Sequence, residues 1–211
     1  MTRGRFVALE GGEGAGKSTQ ARLLADALSA RGIEVVLTRE PGGTPLAEAI
    51  RAILLKNGEG PDLRTEALLF AAARADHVAN LIEPALAAGK WVVCDRFVDS
   101  SRAYQGGGGG MSDEDILALH RIGSKGLLPD LTLLIKVDPE VAAARAGERD
   151  GGTADRIGGR DAGYHARVGK AFDTLADAQP DRFARIDGND TPEQTHAAIM
   201  RAIACLETAA P

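Results

Sequence analysis

Residues 11–19, GGEGAGKST, place glycines, a lysine and two hydroxyls at a spacing that suits one task, gripping phosphate. Gly11, Gly12, Glu13, Gly14, Ala15, Gly16, Lys17 and Ser18 fit G-x-x-x-x-G-K-[ST], with Thr19 following. Glycines let the main chain wrap closely around phosphate oxygens, so its N–H groups and a helix N-terminus point at one spot. Lys17 adds a point charge for the β- and γ-phosphates, and the Ser18 hydroxyl suits Mg²⁺. The pattern implies a nucleoside triphosphate and leaves the reaction open. The N/T-K-x-D guanine reader of common GTPases is missing from the sequence.

A second set of residues could hold another anion. Asp95 and Arg96 end the run WVVCDR, and Glu40 ends IEVVLTRE. In an open parallel sheet the ligand crevice lies beyond the carboxyl ends of the strands, so Glu40, Asp95 and Arg96 are expected to share it with the phosphate loop. An acid at a strand end can equally cap a turn. Arg51 follows EPGGT on a helix-like run, and Phe70 and Arg74 stand four apart on another, sharing a face. By pattern alone Phe70 reads as core, with Arg74 reaching to water. The alternative is a ring that stacks on a flat base beside a guanidinium that reads the base edge.

These residues need a frame, and the hydrophobic pattern supplies one. Short apolar runs at 5–10, 33–40, 91–96, 131–137 and 182–187 read as strands. Between them lie helical patterns at 17–31, 45–56, 62–88 with a bend at Pro84, 99–104, 112–123, 139–145, 164–178 and from Thr191 onward. Thr191-Pro192-Glu193-Gln194 has the form of a capping box. Residues 147–163 are glycine-rich and charged and read as a mobile loop. This alternation implies an α/β fold, a five-stranded parallel sheet with helices on both faces, in one domain spanning 1–211.

Composition narrows the partners. The formal net charge of −5 over 211 residues gives no general basic field for nucleic acid or an anionic membrane. No apolar run is long enough to span a bilayer, and the N-terminus reads as a strand, not a signal peptide. Cys94 and Cys205 read as two buried thiols of a cytoplasmic protein. No Cys/His cluster has metal-ligand spacing.

Four motifs in order, GGEGAGKST, TREPGGT (38–44), DRFVDSSRAYQG (95–106) and DRIGGRDAGYHARV (155–168), together resemble bacterial thymidylate kinase over nearly the whole chain. The resemblance implies a P-loop NTPase-type three-layer sandwich that transfers the γ-phosphoryl of ATP to dTMP with Mg²⁺, as a cytoplasmic homodimer. It implies that residues 11–19 bind ATP, with Glu13 facing the sugar and metal region of the acceptor. Glu40, Arg51, Asp95 and Arg96 then surround the dTMP phosphate and Mg²⁺, with Ser18, Asp95 and Glu40 as metal ligands. Phe70 stacks on thymine and Arg74 reads its O4 edge. Ser100, Ser101 and Gln105 lie along the base edge, and Tyr104 packs where a 2′-OH would clash. Lys17, Glu13, Asp95 and Arg96 are the catalytic set, completed by an arginine of a lid over about 145–163. Arg149, Arg156 and Arg160 are the candidates, with Arg149 favoured. Two departures from the family pattern stand out: Gly158 where a glutamate is usual, and Gly109 where an arginine is common, read as a looser turn. The rivals are transfer to another acceptor, or ATP sensing without transfer.

Overall fold

The structure is a computed structural model and describes residues 2–150 and 155–208, without the side chains of 146–150 and 208. Five parallel strands form one sheet: β1 (Phe6–Glu10), β2 (Val35–Arg39), β3 (Trp91–Asp95), β4 (Leu131–Lys136) and β5 (Phe183–Asp187), in the order β2-β3-β1-β4-β5. β1 is buried along its whole length, as a central strand covered on both faces requires. Its alternate residues serve opposite faces. Val7 and Leu9 pack with Leu24, Leu28, Ile199 and Ile203, whereas Phe6 and Ala8 pack with Val78, Ile82 and Leu86.

Those layers come from α1 (Lys17–Ala30), α2 (Pro45–Leu55), α3 (Leu63–His77), α4 (Glu83–Ala87), α5 (Val98–Ser101), α6 (Asp113–Ser124), α7 (Pro139–Asp150), α8 (Ala162–Ala178) and α9 (Pro192–Thr208). Helix starts follow the cap chemistry. Thr44 accepts from the Ala47 amide, Asp62 from Arg64 and Thr65, and Asp161 from Tyr164. The capping box predicted at Thr191 is formed. The Gln194 amide donates to the Thr191 hydroxyl oxygen at 3.4 Å, and Gln194 Oε1 accepts from the Thr191 amide at 3.2 Å.

Three expectations are corrected. The single helix read over 62–88 is divided by a π-helical turn, Val78–Ile82, just before Pro84. The wider turn accommodates a residue that lacks an N–H and whose ring crowds the carbonyl four residues earlier. A second π-helical stretch, Arg102–Gly108, follows α5 where a plain helix over 99–104 was expected. α7 continues to Asp150, through Gly147, beyond the predicted loop boundary.

The thiols differ from expectation in one respect. They form no disulfide with each other; Cys94 is buried, whereas Cys205 is exposed on α9. Gly109 likewise marks a tight place instead of a loose one. A Cβ there would lie 2.5 Å from Leu63 Cδ1 and 2.7 Å from the Gln105 carbonyl oxygen, so α3 and the π-helical stretch meet across it. No helix among the described residues is long and apolar enough to cross a membrane.

Candidate active site

The carboxyl ends of β1, β2 and β3 lie side by side, with Leu9 and Arg39 both in register with Asp95. The chain order changes direction at β1, which makes this the place where an open sheet leaves a crevice. A cavity of about 590 Å³ opens there. Residues from the phosphate loop line it together with Phe70, Arg74, Tyr104 and Gln105.

The loop joins β1 to α1. Gly11, Gly14 and Gly16 adopt positive φ values of 144°, 70° and 85°. At two of them the neighbouring chain also excludes a side chain. A Cβ would lie 2.4 Å from the Ile135 carbonyl oxygen at Gly11, and 2.2 Å from that of Ala142 at Gly14. Lys17 Nζ donates to the Gly12 carbonyl at 2.6 Å, so its ammonium arches over the loop. Burial and the nearby Arg96 lower the Lys17 pKa to about 8, despite Glu13 and Asp95. A polyanion in the loop would favour the charged form of this ammonium.

Ser18 Oγ donates to Asp95 Oδ2 at 2.5 Å, and Asp95 Oδ1 is buried with no hydrogen-bond partner. An orphaned carboxylate oxygen beside a hydroxyl at the phosphate loop fits a hard cation that takes its remaining ligands from phosphates and water. No cluster of three or more His, Cys, Asp or Glu side chains suited to a metal occurs among the described residues. The expectation of Glu40 as a third ligand gives way. Its Oε2 accepts from Arg74 Nε at 2.7 Å and its Oε1 from His77 Nδ1 at 3.1 Å. His77 is completely buried, and its Nε2 lies 2.8 Å from the Thr38 hydroxyl. The ring thus bridges the Glu40 carboxylate and the Thr38 hydroxyl.

Arg74 is thereby aimed. Its Nη2 donates to Ser101 Oγ at 3.0 Å and to the Phe97 carbonyl at 3.2 Å, with the guanidinium 5.4 Å from the Phe97 ring centre. Phe70 sits one turn earlier on α3, half-buried and lining the cavity. The helical spacing that allowed a core reading therefore puts both residues on the cavity wall. Arg51 lines the same cavity and donates to the Pro41 carbonyl at 2.8 Å. Burial and Arg39 lower the Arg51 pKa from its usual value, an effect an anion between them would reverse.

Arg96 stands at the centre. It holds φ 70°, unusual for a residue with a side chain, and its guanidinium makes four bonds. Nη1 donates to the Gly11 carbonyl and to Ser100 Oγ, both at 3.1 Å, and Nη2 to Glu13 Oε1 at 2.6 Å and to Tyr104 Oη at 3.0 Å. Burial opposes its charge, yet Tyr104, Glu13, Asp95 and Glu10 raise its pKa above the usual value.

Sequence reasoning missed Glu10, the last residue of β1. It is fully buried and receives the amides of Phe97 and Ser100 at 2.8 and 3.0 Å, with the Ser100 hydroxyl at 2.6 Å. Burial, then the neighbouring Asp99, pushes its pKa up to about 7. An acid within an otherwise apolar strand was the available signal. Arg145 on α7 was also missed. It lines the cavity and donates to the carbonyls of Gly188 and Asp190 at 2.8 and 3.2 Å. Arg156 does not line the cavity. Its guanidinium donates to Glu66 Oε2 at 2.6 Å and to the Leu54 carbonyl at 3.1 Å. Arg160 also binds Glu66, at 2.5 Å. The side chain of Arg149 lies outside the described residues.

A glycine-shaped loop of this kind and a set of guanidiniums beside an aromatic ring, lining one cavity, are the mark of a P-loop kinase that phosphorylates a small nucleotide. The comparisons with known proteins agree and go further. The family model for thymidylate kinase matches residues 9–199. The chain is 53% identical to the thymidylate kinase of Rhizorhabdus wittichii over 204 residues, covering 96% of this chain and 98% of that one. It is 50% identical to the thymidylate kinase of Gluconobacter oxydans, covering 95% and 94%. The crystal structure of thymidylate kinase from Ehrlichia chaffeensis superposes with a TM-score of 0.79 at 33% identity, covering 95% of this chain and 99% of that one. The chain belongs to the thymidylate kinase family.

Proposed function

We propose that the chain phosphorylates dTMP to dTDP with the γ-phosphoryl of ATP, donor and acceptor meeting nose to tail in the 590 Å³ cavity. The observation that carries this reading is one cavity lined both by Lys17, Ser18 and Thr19 and by Phe70, Arg74 and Tyr104, with Arg51 and Arg96 also on its wall. Amides of residues 11–19 and the Lys17 ammonium take the donor phosphates, and Arg51 and Arg96 take the acceptor phosphate. Ser18 and Asp95 would hold Mg²⁺, which when bound would neutralise charge on the donor's phosphates. Glu40 acts by fixing Arg74.

A phosphate monoester has a second pKa of about 6, so the attacking oxygen is already ionised at neutral pH. No strong base is needed, and in-line placement with charge neutralisation carries the rate. Phe70 stacks on the pyrimidine, Arg74 donates to its O4 edge, and Ser101 and Gln105 border it. Tyr104, fixed by Arg96 and Glu13, closes the sugar side. Residues 145–163 act as a lid that excludes water from the transfer, with Arg149 as the favoured lid arginine for the migrating group. The enzyme is cytoplasmic and homodimeric. Leu68 on α3 is 55% exposed and Ile122 on the adjoining α6 is 83% exposed, and they offer an apolar face to a second copy.

An ADP-coupled assay with dTMP, dUMP, UMP, CMP, AMP and GMP tests the reading. The highest kcat/KM is expected for dTMP. Preference for a different monophosphate, or tight ATP binding with no transfer to any of them, refutes it.

A further inference from the structure

Glu66 has no place in the chemistry described so far, yet it is completely buried. It lies on α3 in the row Glu66, Phe70, Arg74, at four-residue spacing, so it shares the helix face that reads the acceptor base. Its two oxygens look in different directions. Oε1 accepts from Gln105 Nε2 at 2.9 Å, and Gln105 lines the acceptor side of the cavity. Oε2 accepts from Arg156 and Arg160, at 2.6 and 2.5 Å. Those arginines belong to the arm Asp155–Arg160, far away in sequence.

The arm itself reaches the acceptor. Asp155 and Ile157 line the cavity, and Ile157 is buried among Tyr104, Tyr164 and Phe70. The seat is continued by Arg160, which donates to Tyr164 Oη at 2.6 Å, while Tyr164 Oη donates to the Tyr104 carbonyl at 2.9 Å. A ligand shifts a conformational equilibrium only by touching one state more favourably than the other. An acceptor nucleotide in the pocket touches the arm only when the arm is docked, and it fixes the Gln105 amide whose N–H₂ group faces Glu66.

We propose that Glu66 is a positioning residue that couples occupancy of the acceptor base pocket to docking of the arm Asp155–Arg160. The inference rests on the placement of dTMP proposed above. One buried carboxylate joins the group that borders the base to two guanidiniums that hold the arm. Binding of the acceptor and seating of the arm therefore favour each other reciprocally.

Hydrogen–deuterium exchange on the full chain, with and without dTMP, combined with steady-state kinetics, tests this. In the native enzyme dTMP should slow exchange both in residues 96–108 and in residues 155–160. In Glu66→Gln, which weakens the grip on both arginines, dTMP should still slow exchange in 96–108 but no longer in 155–160. The KM for dTMP should rise on the order of tenfold while that for ATP stays near native. A merely structural role would raise exchange in 155–160 equally with and without dTMP and keep the response to dTMP, and that result overturns the proposal. So does a native enzyme in which dTMP protects 96–108 but not 155–160, although the acceptor site then stands. If dTMP protects neither segment, the acceptor site itself is misplaced. Arg160→Gln keeps Arg156 on Glu66 and serves where Glu66→Gln fails to fold. A partial loss of the dTMP response is expected, and an unchanged response overturns the coupling.

Discussion

The two walls of the cleft are made in different ways. The part proposed to hold the donor is main chain: a turn shaped by glycines, a helix N-terminus and one lysine folded back over its own loop. The part proposed to hold the acceptor is a web of side chains from distant segments. Glu40 joins Arg74 to His77, Glu13 joins Arg96 to Tyr104, and Glu66 joins Gln105 to Arg156 and Arg160. Backbone amides suit a task common to all nucleoside triphosphates, because every phosphate presents the same oxygens. Reading one base among several needs planar, directional groups, and each of those must be held by a neighbour.

The contrast can be broken most sharply at Lys17. Lys17→Ala should lower turnover by at least about 10²–10³-fold, as expected when a charge aimed at the transferred phosphate is lost. Its folding free energy in urea should stay close to native; a large loss of stability would contradict the claim that this wall stands on its backbone. Arg74→Ala should do the opposite in kind, leaving Glu40 as a buried carboxylate without its guanidinium. A cost of about 3–5 kcal/mol is expected in the urea midpoint, together with a raised KM for dTMP.

Glu10 lies beneath both walls and gives a pH signature. Its folded pKa of about 7 exceeds the reference 4.5, so its contribution to stability is complete below pH 4.5 and disappears as pH rises through 7. Comparison of native protein with Glu10→Gln over that window should show a stability difference that changes with pH by roughly 3 kcal/mol at most. A pH-independent difference would remove the assignment. The smallest effect is expected for Phe70→Ala. Loss of a base stack of about 1–3 kcal/mol should raise the KM for dTMP on the order of tenfold and leave that for ATP nearly unchanged. Equal effects on both substrates would erase the distinction between the walls.

The same contrast explains what could be read in advance. The phosphate loop is contiguous, and its glycines announce the backbone shape they allow, so the turn between β1 and α1 was legible from spacing. The five strands and the Thr191 cap were also visible, since both rest on local pattern. Glu66 was not, because an acid in the first turn of a helix ordinarily faces water. Its burial depends on partners 39, 90 and 94 residues away. Arg156 could be assigned to the lid region but not to its carboxylate, because a sequence does not say where a guanidinium ends. The π-helical stretch that delivers Tyr104 and Gln105 leaves no periodic trace, being a single widened turn.

The four bonds of the Arg96 guanidinium have an outcome for anyone who reshapes this cleft. A single planar group grips the Gly11 carbonyl and Glu13 on one side and Ser100 and Tyr104 on the other. On the placement proposed above, a substitution at Tyr104 meant only to admit a ribonucleotide would free one corner of that plane and disturb the phosphate loop. Selectivity for the sugar and affinity for the phosphate donor would then be mechanically spliced, and redesign of the first would call for compensating changes in the second.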